Sequence, residues 1–190
     1  MRKVKLQMQL SLDGFVSGPN GEMDWMEWNW DDEIKNYVTE LTDSADTLLM
    51  GKVLYQGMST HWPAIAAKAD SEKGDIEFAD KMNNTPKIVF SKSLGKADWS
   101  HTALLDGEIE TEIARLKQSP GMDLLIYGGA DLVSSFVRSD LIDEYHLFIN
   151  PAAIGNGKSI FKKRENRLKL KLLKARSFPC GIVVLCYQPA

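Results

Sequence analysis

The sequence predicts an α/β fold with a mixed, mostly parallel sheet that is flanked by helices and ends in an antiparallel hairpin. Short apolar segments typical of buried strands alternate with segments whose apolar residues recur at helical spacing. Such alternation favours parallel strands joined by crossover helices. Near the C-terminus two strand-like segments, residues 168–174 and 182–188, follow each other without a helix between them, which predicts the hairpin.

The N-terminal elements follow from clear periodicities. A strand is predicted for residues 4–12, where every even position is apolar, and a turn-rich loop follows to about Trp25. Asp31 or Asp32 can cap the next helix, in which Ile34 begins an i, i+3, i+4, i+7 apolar pattern.

The remaining elements are predicted in the same way. Further strands are expected at residues 47–50, 87–90, 124–127 and 144–150. Further helices are expected at residues 52–58, 75–83, 108–118 and after Gly129. Residues 61–74 are expected to be irregular or weakly helical. The sequence shows no linker or repeat, so we expect a single domain that spans residues 1–190.

Composition limits the function classes. The chain has 190 residues, 44% of them hydrophobic, which suits a soluble domain with a sizeable core. Its 23 basic and 26 acidic residues give a net charge of −3, so no general basic field is available for a nucleic acid. No apolar segment is long enough for a membrane span, and no signal peptide begins the chain. These features predict a cytoplasmic protein without a nucleic-acid or membrane partner.

Three predicted strand ends carry small or basic residues that suit a phosphate. They are Gly51-Lys52, Ser91-Lys92 and Gly128-Gly129-Ala130. Ligands of open parallel sheets bind at the carboxyl ends of the strands, where glycines allow close approach and helix N-termini offer free N–H groups. Separated phosphate sites fit a dinucleotide, with its pyrophosphate at the glycines and a 2′-phosphate near Ser91-Lys92. The usual Rossmann and Walker glycine motifs are absent.

These motifs, together with others in the same order, resemble one family. They are LSLDG (10–14), LMGK (49–52), IVFSK (88–92), YGG (127–129), LIDEY (141–145), Asn150-Pro151, GNG (155–157) and Ile160-Phe161. The chain is similar to the reductase domain of the bifunctional riboflavin-biosynthesis deaminase–reductase, in the dihydrofolate reductase-like superfamily. The resemblance implies a dihydrofolate reductase-like fold with NADPH across the strand ends, held by the residues named above. The family usually has arginine where this chain has Lys52, which keeps the charge but loses the bidentate fork.

The resemblance also implies catalytic residues. Residues 12–25, which include Asp13 and end at Trp25, are similar to the mobile active-site loop of dihydrofolate reductases. The substrate carboxylate of those enzymes follows that tryptophan, and here Asp31, Asp32 and Glu33 occupy the stretch; we favour Asp32. Helix capping is the alternative role of all three carboxylates. The tryptophans at positions 25, 28 and 30 suit either a substrate platform or core packing.

No metal site is predicted. His61, His101 and His146 have no metal-ligand spacing, and Cys180 and Cys186 lie in an apolar segment where burial is expected. His146 is expected to be structural, and His61 to line the cleft. The zinc motifs of a deaminase are absent as well.

The sequence therefore predicts an NADPH-dependent reductase of a small heterocyclic substrate, such as a ribosylaminouracil, a pterin or dihydrofolate. Two alternatives stay open: a non-catalytic or regulatory nucleotide-binding protein with the same fold, and a flavin reductase. The alternation in residues 168–172 predicts an exposed edge strand and a homodimer.

Overall fold

The computed structural model describes residues 1–68, 70–162 and 164–190. Its strands are β1 (Val4–Leu10), β2 (Ala45–Gly51), β3 (Lys87–Phe90), β4 (Thr102–Leu105), β5 (Asp123–Gly128), β6 (Glu144–Ile149), β7 (Leu170–Ser177) and β8 (Val183–Pro189). Its helices are α1 (Asp32–Asp43), α2 (Lys52–Ala67), α3 (Lys73–Asn84), α4 (Ile109–Gln118) and α5 (Ala130–Arg138).

The eight strands form one sheet in the order β4-β3-β2-β5-β1-β6-β8-β7. The pairs from β4 to β6 are parallel, whereas β8 is antiparallel to both of its neighbours. The mixed, mostly parallel fold with an antiparallel C-terminal pair is therefore confirmed. No helix among the described residues combines the length and the apolar character needed to cross a bilayer.

Apolar residues bury both faces of the sheet. The even positions of β1, from Val4 to Leu10, pack with α4 and α5 in one core. The other core lies beneath α1, whose Ile34, Tyr37 and Val38 face the sheet as the helical spacing predicts. The odd positions of β1 place Lys5, Gln7 and Gln9 on that second face, so a row of polar side chains lies under α1.

Some predicted boundaries were wrong, and one strand was not predicted. Strand β1 ends at Leu10 instead of Leu12, because the Ser11 hydroxyl accepts a hydrogen bond from the Phe15 N–H and starts a turn. Helix α2 continues to Ala67, although Pro63 cannot donate a backbone hydrogen bond and the sequence predicts a helix only for residues 52–58. Strand β4 was not predicted at all. Its four half-exposed residues lie at the sheet edge and give no periodic signal.

A buried lysine closes the end of α3. Lys87 is only 1% exposed, and its ammonium donates to the carbonyls of Met82, Asn83 and Thr85 at 2.9, 2.9 and 2.7 Å. The ammonium also lies 4.3 Å from the centre of the Trp99 ring. These carbonyls at the helix end therefore find a donor in the side chain that begins β3.

The substitution Lys87→Met is expected to reduce the free energy of unfolding by about 2 kcal/mol, because buried carbonyls lose their donor. Burial lowers the pKa of Lys87 to about 8, from 10.5. Between these values the unfolded chain binds more protons than the folded one, so stability from this group rises with pH. Denaturant unfolding should show the wild-type advantage over Lys87→Met growing from pH 8 to pH 10. A constant or shrinking advantage would contradict the depressed pKa.

Candidate active site

A cleft of about 1740 Å³ lies where β1, β2, β3 and β5 end. All seven residues predicted to bind a cofactor line it, together with Asp32 and His61. The predicted cofactor residues are Gly51, Lys52, Ser91, Lys92, Gly128, Gly129 and Ala130. Because parallel strands end at the same edge of a sheet, residues that are far apart in the sequence meet in this cleft.

Two glycines form the floor of the cleft. Gly51 is the N-cap of α2 and Gly129 is the N-cap of α5. Neither residue has a side chain that could accept a hydrogen bond from the first N–H groups of its helix. Their backbones touch: a Cβ on Gly129 would lie 3.4 Å from the Gly51 Cα. Gly129 also has a φ of +90°, which side chains rarely adopt. Two uncapped helix N-termini, each with a partial positive charge and free N–H groups, therefore open side by side.

Basic and hydroxyl groups lie at one end of this floor. The Lys52 ammonium donates to the Ser93 hydroxyl at 3.0 Å, which joins the start of α2 to the loop after β3. Within that loop the Ser91 hydroxyl accepts from the Ser93 and Leu94 N–H groups. Lys92 lies 3.4 Å from the Glu108 carboxylate and is largely exposed. Lys52 and Lys92 thus place two positive charges near one loop.

Strand β4 adds a segment that the sequence interpretation missed. Its register with β3 pairs Phe90 with Leu105, so Asp106 and Gly107 lie beside Ser91 in the cleft wall. The signal that could have located them is Asp106-Gly107 directly before the α4 helix pattern.

The structure separates the three acidic residues that the sequence left as alternatives. The Asp31 carboxylate caps α1 by accepting from the Ile34 N–H at 3.0 Å and also accepts from the Cys180 N–H at 3.2 Å. Glu33 pairs with Arg176 at 2.6 Å. Asp32 lines the cleft, and no hydrogen bond or ion pair engages its carboxylate within the described part of the chain. Of the three, only Asp32 is placed to meet a ligand.

The tryptophans divide between two environments. Trp28 and Trp30 line the cleft and stack on each other with 5.8 Å between ring centres. Trp30 also stacks on Phe148 at 6.4 Å, which fixes the pair against the sheet, whereas Trp28 is 62% exposed. Trp25 lies outside the cleft lining, where its indole N–H donates to the Glu22 carbonyl. Of the two alternatives for the tryptophans, the geometry favours a platform for Trp28 and Trp30.

Asp13 also lies outside the cleft lining. Its carboxylate accepts from the Ser11 hydroxyl at 2.6 Å and from the N–H groups of Ile154 and Gly155. The hydrogen bond from Ser11 is the largest cause of a lowered pKa at Asp13. These contacts tie the loop after β1 to the loop after β6.

Two glutamines on β1 complete the cleft wall, and neither was among the predicted site residues. The Glu27 N–H donates to Asn150 Oδ1, which fixes the orientation of that amide. Asn150 Nδ2 must then donate to Gln9 Oε1, at 2.7 Å. The NH₂ group of Gln9 therefore points away from Asn150. That buried NH₂ group, like Gln7 Oε1, has no partner among the described residues.

Both glutamines line the cleft, and Gln7 is only 7% exposed. Unpartnered buried amides are costly, so a ligand is the expected partner.

Tyr127 contributes a phenol hydroxyl to the cleft. It shares a 2.6 Å hydrogen bond with Thr42, and burial raises its pKa well above the usual value. Tyr127 therefore stays neutral at physiological pH and is a weak proton donor.

Comparison with solved structures supports the fold. A riboflavin biosynthesis protein, described as putative, from Shewanella sp. PV-4 has a TM-score of 0.72 and 21% identity, and the alignment covers 100% of this chain and 99% of the other. The deaminase/5-amino-6-(5-phosphoribosylamino)uracil reductase of Thermotoga maritima has a TM-score of 0.67 and 19% identity, with all of this chain aligned to 57% of that protein. Enterococcus faecalis dihydrofolate reductase, solved with NADP(H), has a TM-score of 0.60 and 12% identity, over 98% of this chain and 96% of that one.

Comparison at the sequence level is more specific. The uncharacterized protein YyaP of Bacillus subtilis (strain 168) is 30% identical over 187 residues, which is 98% of this chain and 95% of YyaP. The family model of the RibD C-terminal domain matches residues 2–184. The order of the strand-end motifs, the dihydrofolate reductase-like sheet and this match agree, and the chain belongs to the RibD C-terminal domain family.

Proposed function

We propose that this chain is a single-domain, NADPH-dependent reductase of a small heterocyclic substrate. The observation that carries the proposal is the contact between the two glycine N-caps, Gly51 and Gly129, on the floor of a cleft that also holds an aromatic pair and unpartnered amides. Membership of a reductase family and the likeness to a dihydrofolate reductase solved with NADP(H) support it.

The floor suits the pyrophosphate of a dinucleotide. A Cβ at either glycine would lie within 3.8 Å of the other glycine's backbone. Any larger residue would therefore fill the space between the two helix N-termini. Two helix N-termini then offer their free N–H groups to two adjacent phosphates. When bound, NADPH would supply the hydride, while Gly128, Gly129 and Ala130 hold the phosphates and Leu132 closes the floor.

We expect Lys92→Glu to weaken NADPH binding by about 10- to 100-fold, because it replaces an attractive charge with a repulsive one beside the 2′-phosphate. NADH has no 2′-phosphate, so its affinity should change less than threefold. Quenching of tryptophan fluorescence during titration with each nucleotide measures both constants. Lys96→Glu, outside the cleft, is the matched control. Equal losses for NADPH and NADH would contradict the assignment of Lys92.

The opposite end of the cleft suits a planar substrate. Trp28 offers an exposed indole face supported by Trp30, and flat heterocycles stack well on indole. Gln9 offers an N–H donor and Gln7 Oε1 an acceptor from neighbouring positions of β1. A ring with a carbonyl next to an N–H, as in pyrimidines and pterins, would satisfy both amides.

The substitution Gln9→Met keeps the volume of the side chain and removes the donor. We expect the KM of the heterocycle to rise about 10-fold while the dissociation constant of NADPH is unchanged, because one hydrogen bond to substrate is lost. Asn150 retains the Leu10 and Phe148 carbonyls as acceptors, so the fold should survive. An unchanged KM would remove Gln9 from substrate recognition.

Within this proposal, Asp32 orients the substrate and holds the proton for the reduced atom. Neither Asp13 nor Trp25 lines the cleft. We propose that both affect the reaction indirectly, by fixing the conformation of the loop of residues 12–25.

The experiment that tests the function combines binding with turnover. NADPH titration should quench tryptophan fluorescence at micromolar nucleotide, and NADPH absorbance should fall when pyrimidine, pterin or flavin substrates are added. Binding without turnover on the whole panel would favour the nucleotide-binding alternative, and turnover of flavins alone would favour a flavin reductase. No response to NADPH or NADH would contradict the proposal.

We also propose a homodimer formed through β7. This strand is one of the two sheet edges, and Leu172 and Leu173 are exposed on it. Location in the cytoplasm stays a prediction.

A further inference from the structure

Three side chains with metal-ligating atoms converge outside the cleft. Glu144 and His146 lie on β6 and Cys186 lies on β8. The antiparallel register places His146 opposite Cys186, and Glu144 shares the face of His146 because it lies two residues earlier. None of the three lines the cofactor cleft. The fold therefore brings together residues that have no metal-ligand spacing in the sequence.

The three ligand atoms lie close enough together to share one ion. His146 Nε2 lies 2.7 Å from Glu144 Oε1, and Cys186 Sγ lies 3.9 Å from each of them. The point equidistant from the corners of a triangle with these sides is about 2.1 Å from each atom. Bonds of zinc to nitrogen and oxygen are about 2.0–2.2 Å, and to sulfur about 2.3 Å. At the tetrahedral angle, two such bonds to nitrogen and oxygen hold those atoms about 3.4 Å apart, so the 2.7 Å hydrogen bond between His146 and Glu144 opens when the ion enters.

The surroundings orient the histidine and place two lysines near the cluster. The Tyr37 hydroxyl lies 2.7 Å from His146 Nδ1, so it fixes the ring with Nε2 facing Glu144 and Cys186. Such a partner on the second ring nitrogen is typical of histidine metal ligands. The Lys5 ammonium is paired with Asp123 at 2.9 Å, which reduces its repulsion of a cation. The more exposed Lys3 ammonium lies 3.7 Å from the other oxygen of the Glu144 carboxylate. The Glu144 side chain is 17% exposed and leaves an entry from solvent.

We propose that Glu144, His146 and Cys186 bind one divalent ion of the zinc class, with a water molecule as the fourth ligand. Binding displaces the thiol proton of Cys186, while His146 stays neutral with its proton on Nδ1, where the Tyr37 hydroxyl accepts the hydrogen bond. The ion links β6 to the antiparallel strand β8 and stabilises this part of the sheet. The site is independent of the proposed reductase activity, because it lies outside the cleft.

Cobalt and zinc titrations of the metal-free full chain test the site. Cobalt should bind at one equivalent and give thiolate-to-metal charge-transfer absorption in the near ultraviolet. Zinc should displace cobalt and raise the midpoint of thermal unfolding, since it binds only the folded state. Absence of the charge-transfer absorption in the wild-type protein would overturn the proposal, whatever the variants do.

Matched variants assign the absorption. Cys186→Ser and Glu144→Gln should lose it or weaken cobalt binding at least about 10-fold. Cys180→Ser removes the other cysteine and should leave both the absorption and the zinc stabilisation intact. Circular dichroism checks that each variant is folded. Absorption that survives in Cys186→Ser and disappears in Cys180→Ser would assign the metal elsewhere and overturn the site.

Discussion

Gly129→Asp is expected to reduce the affinity for NADPH by at least about 100-fold, or about 3 kcal/mol. The new Cβ would lie 3.4 Å from the Gly51 Cα, so the side chain would occupy the space between the two helix N-termini. Its negative charge would replace the phosphate that these N–H groups are proposed to bind. Fluorescence titration or isothermal calorimetry with NADPH measures the loss.

Two controls separate the causes of that loss. Gly129→Ala introduces the backbone strain of a side chain at φ +90° without a charge, and we expect a smaller loss of affinity together with about 1 kcal/mol of destabilisation. Gly95→Asp adds the same charge outside the cleft, where a Cβ meets no atom within 4 Å, and should bind NADPH normally. A folded Gly129→Asp variant with wild-type affinity would show that the nucleotide lies elsewhere.

Asp32→Asn is expected to reduce kcat/KM for the heterocycle by about 100- to 10,000-fold, the range for loss of a positioned acid–base group. The dissociation constant of NADPH should not change, because the proposed phosphate contacts remain. Steady-state oxidation of NADPH with the best substrate of the panel gives kcat and KM separately.

The neighbouring Glu33→Gln is the matched control for Asp32. It removes one negative charge from the same helical turn, but Glu33 pairs with Arg176 and does not line the cleft. We expect its activity to stay within about threefold of the wild type. If Asp32→Asn is as active as Glu33→Gln, Asp32 has no part in the reaction.

Much of the fold was predictable because its signals are local. Alternation in β1 and helical spacing in α1 each arise within one element, and the structure confirms both elements. Helix α2 was predicted to span only residues 52–58, because residues 61–74 show no clear helical pattern, but it continues through Pro63 to Ala67. Strand β4 gave no signal because its pairing with β3, and not its own pattern, makes it a strand.

Some residues of the candidate site were predictable from local sequence, and others were not. Glycine and basic residues at strand ends are visible in the sequence, and the cleft contains every one that was predicted to bind the cofactor. The choice among Asp31, Asp32 and Glu33 needed the partners of each carboxylate, which lie as far away as Cys180 and Arg176. Gln7 and Gln9 looked like the polar side of a strand, and only the position of α1 and the cleft shows that they are buried without partners.

The sequence alone determined most of the strands and helices and the positions of the strand-end glycines, because both depend on short-range patterns. Tertiary structure decided which of these ends meet. It placed Gly51 against Gly129 and left Asp32 facing the cleft. It also set Cys186 beside His146, 40 residues away in the sequence. The reason is that sheet order and register are fixed by long-range pairing and by packing of both faces, which no local pattern specifies.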